Sequence, residues 1–123
     1  MKKFENNYDL EDRTLDFSKK LIKLLQKIPK NLISCPLIDQ CLRSGTSVGA
    51  NYREANGASS KKDFQNKIYI CKKESKETLY WLELIASTAN SDEIKTELRE
   101  LWQENKQFIL IFSKIVSSIR NKN

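Results

Sequence analysis

The apolar residues of this chain recur at alternating steps of three and four, the spacing of an α-helix that buries one face. No stretch supports a strand, and only three glycines and two prolines punctuate the pattern. The pattern therefore predicts four helices. Their buried stripes are, in chain order, Leu10, Thr14, Phe17, Leu21, Leu24 and Ile28; Ile38, Cys41, Gly45, Val48, Tyr52 and Ala55; Phe64, Ile68, Cys71, Ser75, Thr78, Leu82, Ile85 and Ala89; and Ile94, Leu98, Leu101, Asn105, Phe108, Phe112, Ile115 and Ile119.

The breaks between the stripes predict where the helices begin and end. Pro29 interrupts the first helix, the second begins near Pro36, and the second ends about Gly57. Residues suited to N-caps precede the third and fourth helices, namely Ser59 or Ser60, and Asn90 or Ser91. Short links make neighbouring helices antiparallel. The sequence thus predicts an all-α, antiparallel up-down-up-down four-helix bundle that forms a single domain over residues 1–123.

Two glycines fall within the second helix, in the segment RSGTSVGANYREA. Such a segment is either a phosphate-binding loop or a helix thinned so that a neighbour can approach. A Walker loop needs Lys directly after its last glycine, and a dinucleotide loop follows a strand, but this sequence has neither feature. Gly45 lies on the buried stripe and Gly49 on its edge, so we interpret both as positions of close helix packing.

The composition adds a moderate basic excess to this picture. The 123 residues include 22 Lys and Arg against 16 Asp and Glu, and the net charge of +6 suits a polyanionic partner without requiring one. The N-terminus is too polar for a secretory signal, and no apolar run approaches the roughly 18 residues of a membrane span. We expect a cytoplasmic protein with no membrane partner. Cys35, Cys41 and Cys71 lack disulfide or zinc spacing and are expected to be reduced thiols.

Catalytic chemistry finds little support in the residue types. The chain has no His, the usual general base near neutral pH. Ser60 beside Lys61 superficially offers a Ser–Lys dyad, but adjacent helical residues point in different directions, and an N-cap is the simpler role. Glu54, Glu74 and Glu77 form either a metal-binding cluster or interhelical ion pairs, and the lack of Glu-x-x-His motifs favours ion pairs. We therefore expect no enzymatic activity, no metal and no cofactor.

A second apolar surface lies outside the core stripes of the third and fourth helices. One bundle cannot bury both faces of a helix, and scattered surface hydrophobes are the alternative explanation. The clustering on two successive helices favours subunit contact, and hence a homo-oligomer. The candidate interface residues are Tyr69, Ile70, Tyr80, Trp81, Leu84, Leu110 and Ile111.

Basic residues concentrate in the third helix and in the acid-free end of the fourth. Lys62, Lys73 and Lys76 face away from the core stripe with Tyr69 among them, a mixture that can contact phosphates and stack on a base. A merely solvated face is the alternative. The candidate nucleic-acid-binding residues are Lys61, Lys62, Lys73, Lys76, Lys114, Arg120 and Lys122.

The segment from Leu42 to Ile85 resembles the four-helix-bundle proteins related to those encoded by intervening sequences of bacterial 23S ribosomal RNA genes. The resemblance rests on a small-residue second helix, a Ser-Lys turn and the run LYWLEL in the third helix. The matching residues outside that run are Arg43, Ser44, Asn51, Glu54, Phe64, Glu74 and Glu77. The resemblance implies a ring-like homopentamer. It also implies kinship with the accessory variability determinant of diversity-generating retroelements, a basic pentameric bundle that binds nucleic acid and a reverse transcriptase.

These observations favour a non-enzymatic, oligomeric bundle that serves as an RNA- or DNA-binding accessory protein. The alternative is a structural or protein-interaction module, for example a partner of a reverse transcriptase, whose lysines are only solvated. Salt separates the two, because phosphate contacts weaken steeply with ionic strength whereas an apolar interface barely responds.

Overall fold

The computed structural model describes residues 7–122, with side chains described at 10–120, and this part of the chain is all-α. The four helices are α1 (Asn7–Lys27), α2 (Ser34–Asn56), α3 (Lys61–Thr88) and α4 (Asp92–Lys122), and no strand occurs among the described residues. Four helices and no strands match the sequence prediction. Within the same range, no helix combines the length and the apolarity that a membrane span requires.

The helix ends are held by the predicted kinds of residue. The Ser60 hydroxyl accepts a hydrogen bond from the Asp63 backbone N–H at 3.0 Å, and the Ser91 hydroxyl accepts one from the Ile94 N–H at 3.3 Å. Both satisfy a backbone donor that has no partner within the helix. Gly57 is the C-cap of α2. Of the predicted alternatives, Ser60 rather than Ser59 and Ser91 rather than Asn90 accept these hydrogen bonds, and the predicted end of α2 about Gly57 is confirmed.

The apolar stripes meet in one buried core. Every stripe residue predicted for α1 and α2 is buried, and Phe17, Phe108 and Phe112 form its aromatic centre, with the first two rings 5.4 Å apart edge to face. The last turns of α4 differ from the prediction, because Val116 is buried while Ile115 is only partly buried. An α-helix has 3.6 residues per turn, so a stripe that follows steps of three and four can continue at Ile115 or at Val116.

Each helix packs against two others, and we call these four contacts seams. The seams join α1 to α2, α2 to α3, α3 to α4 and α1 to α4. Across the α1–α4 seam, Arg13 pairs with Glu104 and Lys27 with Glu97, so rising numbers in one helix meet falling numbers in the other.

The glycines of α2 lie where neighbouring helices come closest. A Cβ on Gly45 would approach the Leu21 Cδ2 atom of α1 to 2.3 Å and the Thr78 Cγ2 atom of α3 to 3.6 Å. A Cβ on Gly49 would lie 3.2 Å from the side chain of Thr14. Because the segment is helical throughout, it offers no phosphate-binding loop. The space that a side chain would occupy at Gly45 and Gly49 is filled by side chains of the neighbouring helices.

Candidate nucleic-acid interface

The basic candidates of α3 all reach the surface. Lys61, Lys62, Lys73 and Lys76 are exposed. Lys62, Lys73 and Lys76 share one stripe with Tyr69 and Tyr80, because these positions follow one another at steps of seven, four, three and four residues. Lys62 and Lys76 are nevertheless about 20 Å apart along the helix axis, at a rise of about 1.5 Å per residue. The candidates therefore extend along α3 rather than meeting at one rim.

The basic candidates of α4 lie towards its C-terminal end. Lys114 and Arg120 are exposed, whereas the side chain of Lys122 lies outside the described residues. Contacts between α3 and α4 run from Glu83 and Trp102 to Ser75 and Asn105. Continued in the same direction, this progression brings the first turn of α3 to the same end of the molecule as Arg120.

Ion pairs between helices distribute unevenly over the four seams. The α1–α4 seam carries Arg13–Glu104 and Lys27 with Glu93 and Glu97, the α1–α2 seam carries Arg53–Glu11, and the α2–α3 seam carries Lys67–Glu54 and Arg43 with Glu74 and Glu77. No ion pair between described residues crosses the α3–α4 seam.

The carboxylates considered as metal ligands serve these ion pairs. Arg43 spans Glu74 and Glu77, the Glu74 carboxylate lying 3.3 Å away, and Lys67 contacts Glu54 at 2.8 Å. The indole N–H of Trp81 donates to Glu77 at 3.0 Å. This hydrogen bond, together with Arg43, holds the pKa of Glu77 below its usual range. Within the described residues, no group of ligand-type side chains is arranged to hold a metal ion.

The structure also shows the surroundings of the three cysteine thiols and of the Ser60 hydroxyl. Cys41 and Cys71 are buried, and loss of hydration raises the pKa of each thiol to about 12, so neither is a ready thiolate. Cys35 is exposed. Ser60 is occupied as the N-cap of α3.

The predicted subunit-contact residues fall into three groups. Tyr69, Tyr80 and Leu110 are exposed, by 44%, 57% and 61%. Trp81 and Ile111, in contrast, pack partly against the core of the same chain, so one bundle covers part of each of these two residues. Both flank their core stripe closely enough for the neighbouring helix to cover part of them. Ile70 and Leu84 are half-buried.

Two exposed apolar groups escaped the sequence reasoning. Leu15, Ile22 and Leu42 are each about two-fifths exposed on α1 and α2, and Leu32 and Ile33 project from the link between those helices. Leu15, Ile22 and Leu42 are apolar residues outside the core stripe of their helix, so helical spacing identifies them in the sequence. Leu32 and Ile33 lie between two helices, where no helical spacing applies.

Trp102 and its neighbours on α4 were also missed. Lys95, Arg99, Trp102 and Lys106 follow one another at steps of four, three and four, so they share one face of α4. The Lys106 ammonium lies 5.4 Å from the centroid of the Trp102 ring, and the indole N–H donates to Glu83 of α3 at 2.9 Å. The spacing of these four residues is visible in the sequence, although residues 92–104 include five acidic ones.

A protein-family model and a solved structure match this chain. The model of the 23S rRNA-intervening sequence protein family matches residues 6–112, which extends the similarity beyond the segment from Leu42 to Ile85 into α1 and most of α4. A crystal structure of a protein of unknown function from the S23 ribosomal protein family of Bacteroides thetaiotaomicron is 32% identical, with a TM-score of 0.77. The match covers 90% of this chain and 97% of that chain. Among curated proteins, none matches.

Proposed function

The chain belongs to the 23S rRNA-intervening sequence protein family, and on this premise we propose that it is a non-enzymatic, homo-oligomeric four-helix bundle that binds RNA or DNA as an accessory protein. The observation that carries the proposal is the exposed stripe of α3. Lys62, Lys73 and Lys76 alternate there with Tyr69 and Tyr80, and only Lys73 approaches a carboxylate, that of Glu74 at 3.9 Å. Cations interleaved with aromatic rings suit a partner that offers both phosphates and bases.

The proposal includes an antiparallel up-down-up-down arrangement assembled as a homopentamer. The reversed order of contacts across the seams supports the arrangement, and the exposed Tyr69, Tyr80 and Leu110 support a further contact between subunits. Repetition of the lysine stripe around a ring would add avidity to individually weak phosphate contacts. Light scattering at micromolar concentration is expected to report a multimer. A monomer of 14.4 kDa would contradict the assembly.

Fluorescence anisotropy with labelled RNA and DNA oligonucleotides tests the nucleic-acid role. We expect affinity to fall steeply between low and high salt, because each phosphate contact releases counterions. The double variant Lys62→Gln and Lys73→Gln should flatten the plot of log affinity against log salt by about 1 per lysine removed.

The matched control changes Lys19 and Lys23 of α1 to Gln, since both are exposed and the net charge falls by the same amount. It should leave the salt dependence almost unchanged. If wild-type protein shows no salt-dependent affinity for any RNA or DNA, the protein-interaction module becomes the better interpretation. The exposure of Tyr80 and Leu110 favours that second candidate, whose partner could be a reverse transcriptase.

A further inference from the structure

The two sides of α4 carry opposite charge. On the side that packs against α1, Glu93 and Glu97 approach Lys27, and Glu104 forms two hydrogen bonds with Arg13 at 2.8 and 3.0 Å. These three acids of α4 are thereby neutralised by α1. The face that carries Lys95, Arg99 and Lys106 turns towards α3 and has no ion pair among the described residues.

Helix α3 also has paired acidic residues on one side and lysines on the side that faces α4. Its acids Glu74 and Glu77 are engaged by Arg43 of α2. Lys72 lies one turn before Ser75 and Lys76 directly follows it, so both flank the hydrogen bond that Asn105 donates to the Ser75 carbonyl at 2.6 Å. Neither lysine forms an ion pair with a described residue. Cations from two helices thus line one seam.

One acidic residue of α3, Glu83, lies beside these cations and accepts a hydrogen bond from Trp102. The Glu83 carboxylate accepts the indole N–H of Trp102, and both residues border a groove of about 600 Å³ that Lys95 and Arg99 also line. Trp102 packs against the core on one side and is partly exposed on the other. The hydrogen bond and the packing hold the ring in place beside the Lys106 ammonium.

We infer that the α3–α4 seam is the path of single-stranded nucleic acid, with phosphates on Lys72, Lys76, Lys95, Arg99 and Lys106 and one base stacked on Trp102. The inference rests on the proposed function and extends its site from the lysine stripe of α3, through Lys76, into the α3–α4 seam. A single strand is specified because a duplex keeps its base faces stacked internally, whereas an unpaired base can lie on an indole ring. A seam that carries five cations and one carboxylate, that of Glu83, is also a place where a polyanion relieves repulsion.

The chain supplies its own control, because its two tryptophans lie on different seams. Trp81 contacts Glu77 on the α2 side of α3, while Trp102 lies in the α3–α4 seam. In the Trp81→Phe protein, a single-stranded oligonucleotide should quench the remaining fluorescence of Trp102. In the Trp102→Phe protein, the fluorescence of Trp81 should stay unchanged on addition of the same oligonucleotide. Quenching of Trp81 alone, or of neither ring despite binding by anisotropy, would overturn the assignment.

Charge neutralisation tests the phosphate path separately. The variant Arg99→Gln with Lys106→Gln should lower the salt slope by about 2, at about 1 per phosphate contact, against no change for Lys19→Gln with Lys23→Gln. RNA and DNA single strands are assayed in parallel, with a duplex of the same length as competitor. Binding that survives the seam variant with an unchanged slope, or a preference for the duplex, overturns the seam assignment while leaving nucleic-acid binding intact. Absence of binding by the wild-type protein overturns both.

Discussion

Helix α3 meets α2 and α4 through two seams built on different chemistry. Towards α2 it forms ion pairs through Lys67, Glu74 and Glu77, and its Thr78 hydroxyl donates to the Ser44 hydroxyl at 2.9 Å in the buried interior. Towards α4, polar contact consists of the hydrogen bonds Asn105 to Ser75 and Trp102 to Glu83.

The difference shows how one amphipathic helix can serve both structure and function. A side chain that forms an ion pair with a neighbouring helix is no longer free to bind an external ion, whereas a cation without such a partner remains available. The charged side chains of the α2–α3 seam form ion pairs within the chain, whereas the cations of the α3–α4 seam form none with described residues. Because exposed ion pairs contribute only about 0–1 kcal/mol each, leaving the second seam without them costs little stability.

The largest effect on stability is expected at Gly45, where α2 packs closely against α1 and α3. Gly45→Leu should lower the free energy of unfolding by about 1–3 kcal/mol or more, because even a Cβ at this position would lie 2.3 Å from Leu21. Thermal and denaturant unfolding measure the change. Gly57→Ala is the control, since its Cβ would meet only the Glu54 carbonyl at 3.9 Å. An unchanged melting temperature for Gly45→Leu would place that position outside the packed region.

A smaller effect distinguishes the two kinds of polar contact. Asn105 is fully buried, and its Oδ1 atom has no hydrogen-bond partner among the described residues. Asn105→Ala should cost about 1–3 kcal/mol through lost packing and the lost bond to Ser75. Asn105→Leu keeps the branched shape, refills the space with two larger methyl groups and removes the unpartnered oxygen, so it should cost less than Asn105→Ala. A loss in the Leu variant equal to or greater than that in the Ala variant would contradict this expectation.

The smallest effect concerns the ion pairs of the α2–α3 seam. Arg43→Met should cost about 1 kcal/mol at neutral pH, because Arg43 is half-exposed while Glu74 is buried. Arg53→Met removes the exposed 3.9 Å pair with Glu11 and should cost almost nothing.

The pH dependence sharpens this comparison. The lowered pKa of Glu77 means that its stabilising contribution is present above its unfolded pKa and is lost as the pH falls through the folded pKa. The cost of Arg43→Met should therefore shrink in acid. Calorimetric unfolding at neutral pH and at about pH 3, below the ordinary glutamate pKa of roughly 4.3, measures it. An equal cost at both pH values would exclude an electrostatic origin.

Much of the fold could be predicted from periodicity alone, and particular residues show where that reasoning ended. The stripes of α1 and α2 were correct at every position, because burial of one helical face repeats at fixed steps that a sequence displays directly. Trp81 and Ile111 lie at the borders of their stripes, and their own bundle partly covers them, which the stripes did not indicate. Whether a border residue is covered depends on the size and tilt of the adjacent helix, which periodicity does not specify.

The candidate site was likewise predictable from the sequence only in part. The lysines of α3 could be identified as exposed from their distance to the core stripe, and the structure places them so. Their separation into paired and unpaired cations could not be predicted, because it depends on which helix lies beside each lysine. Lys67 and Lys72 are near neighbours in sequence, yet Lys67 reaches Glu54 of α2 while Lys72 flanks the contact with α4.

The sequence by itself determined the number of helices, their caps, their buried faces and the positions that must stay small. Each of these depends on local backbone chemistry or on a repeat along one helix. Only the tertiary structure decided which flank of each helix meets which neighbour, and with it the pairing of Arg43 with Glu74 and the unpaired cations around Trp102. Electrostatic and aromatic contacts act over a few ångströms in space, so residues far apart in the chain acquire their partners only when the helices pack.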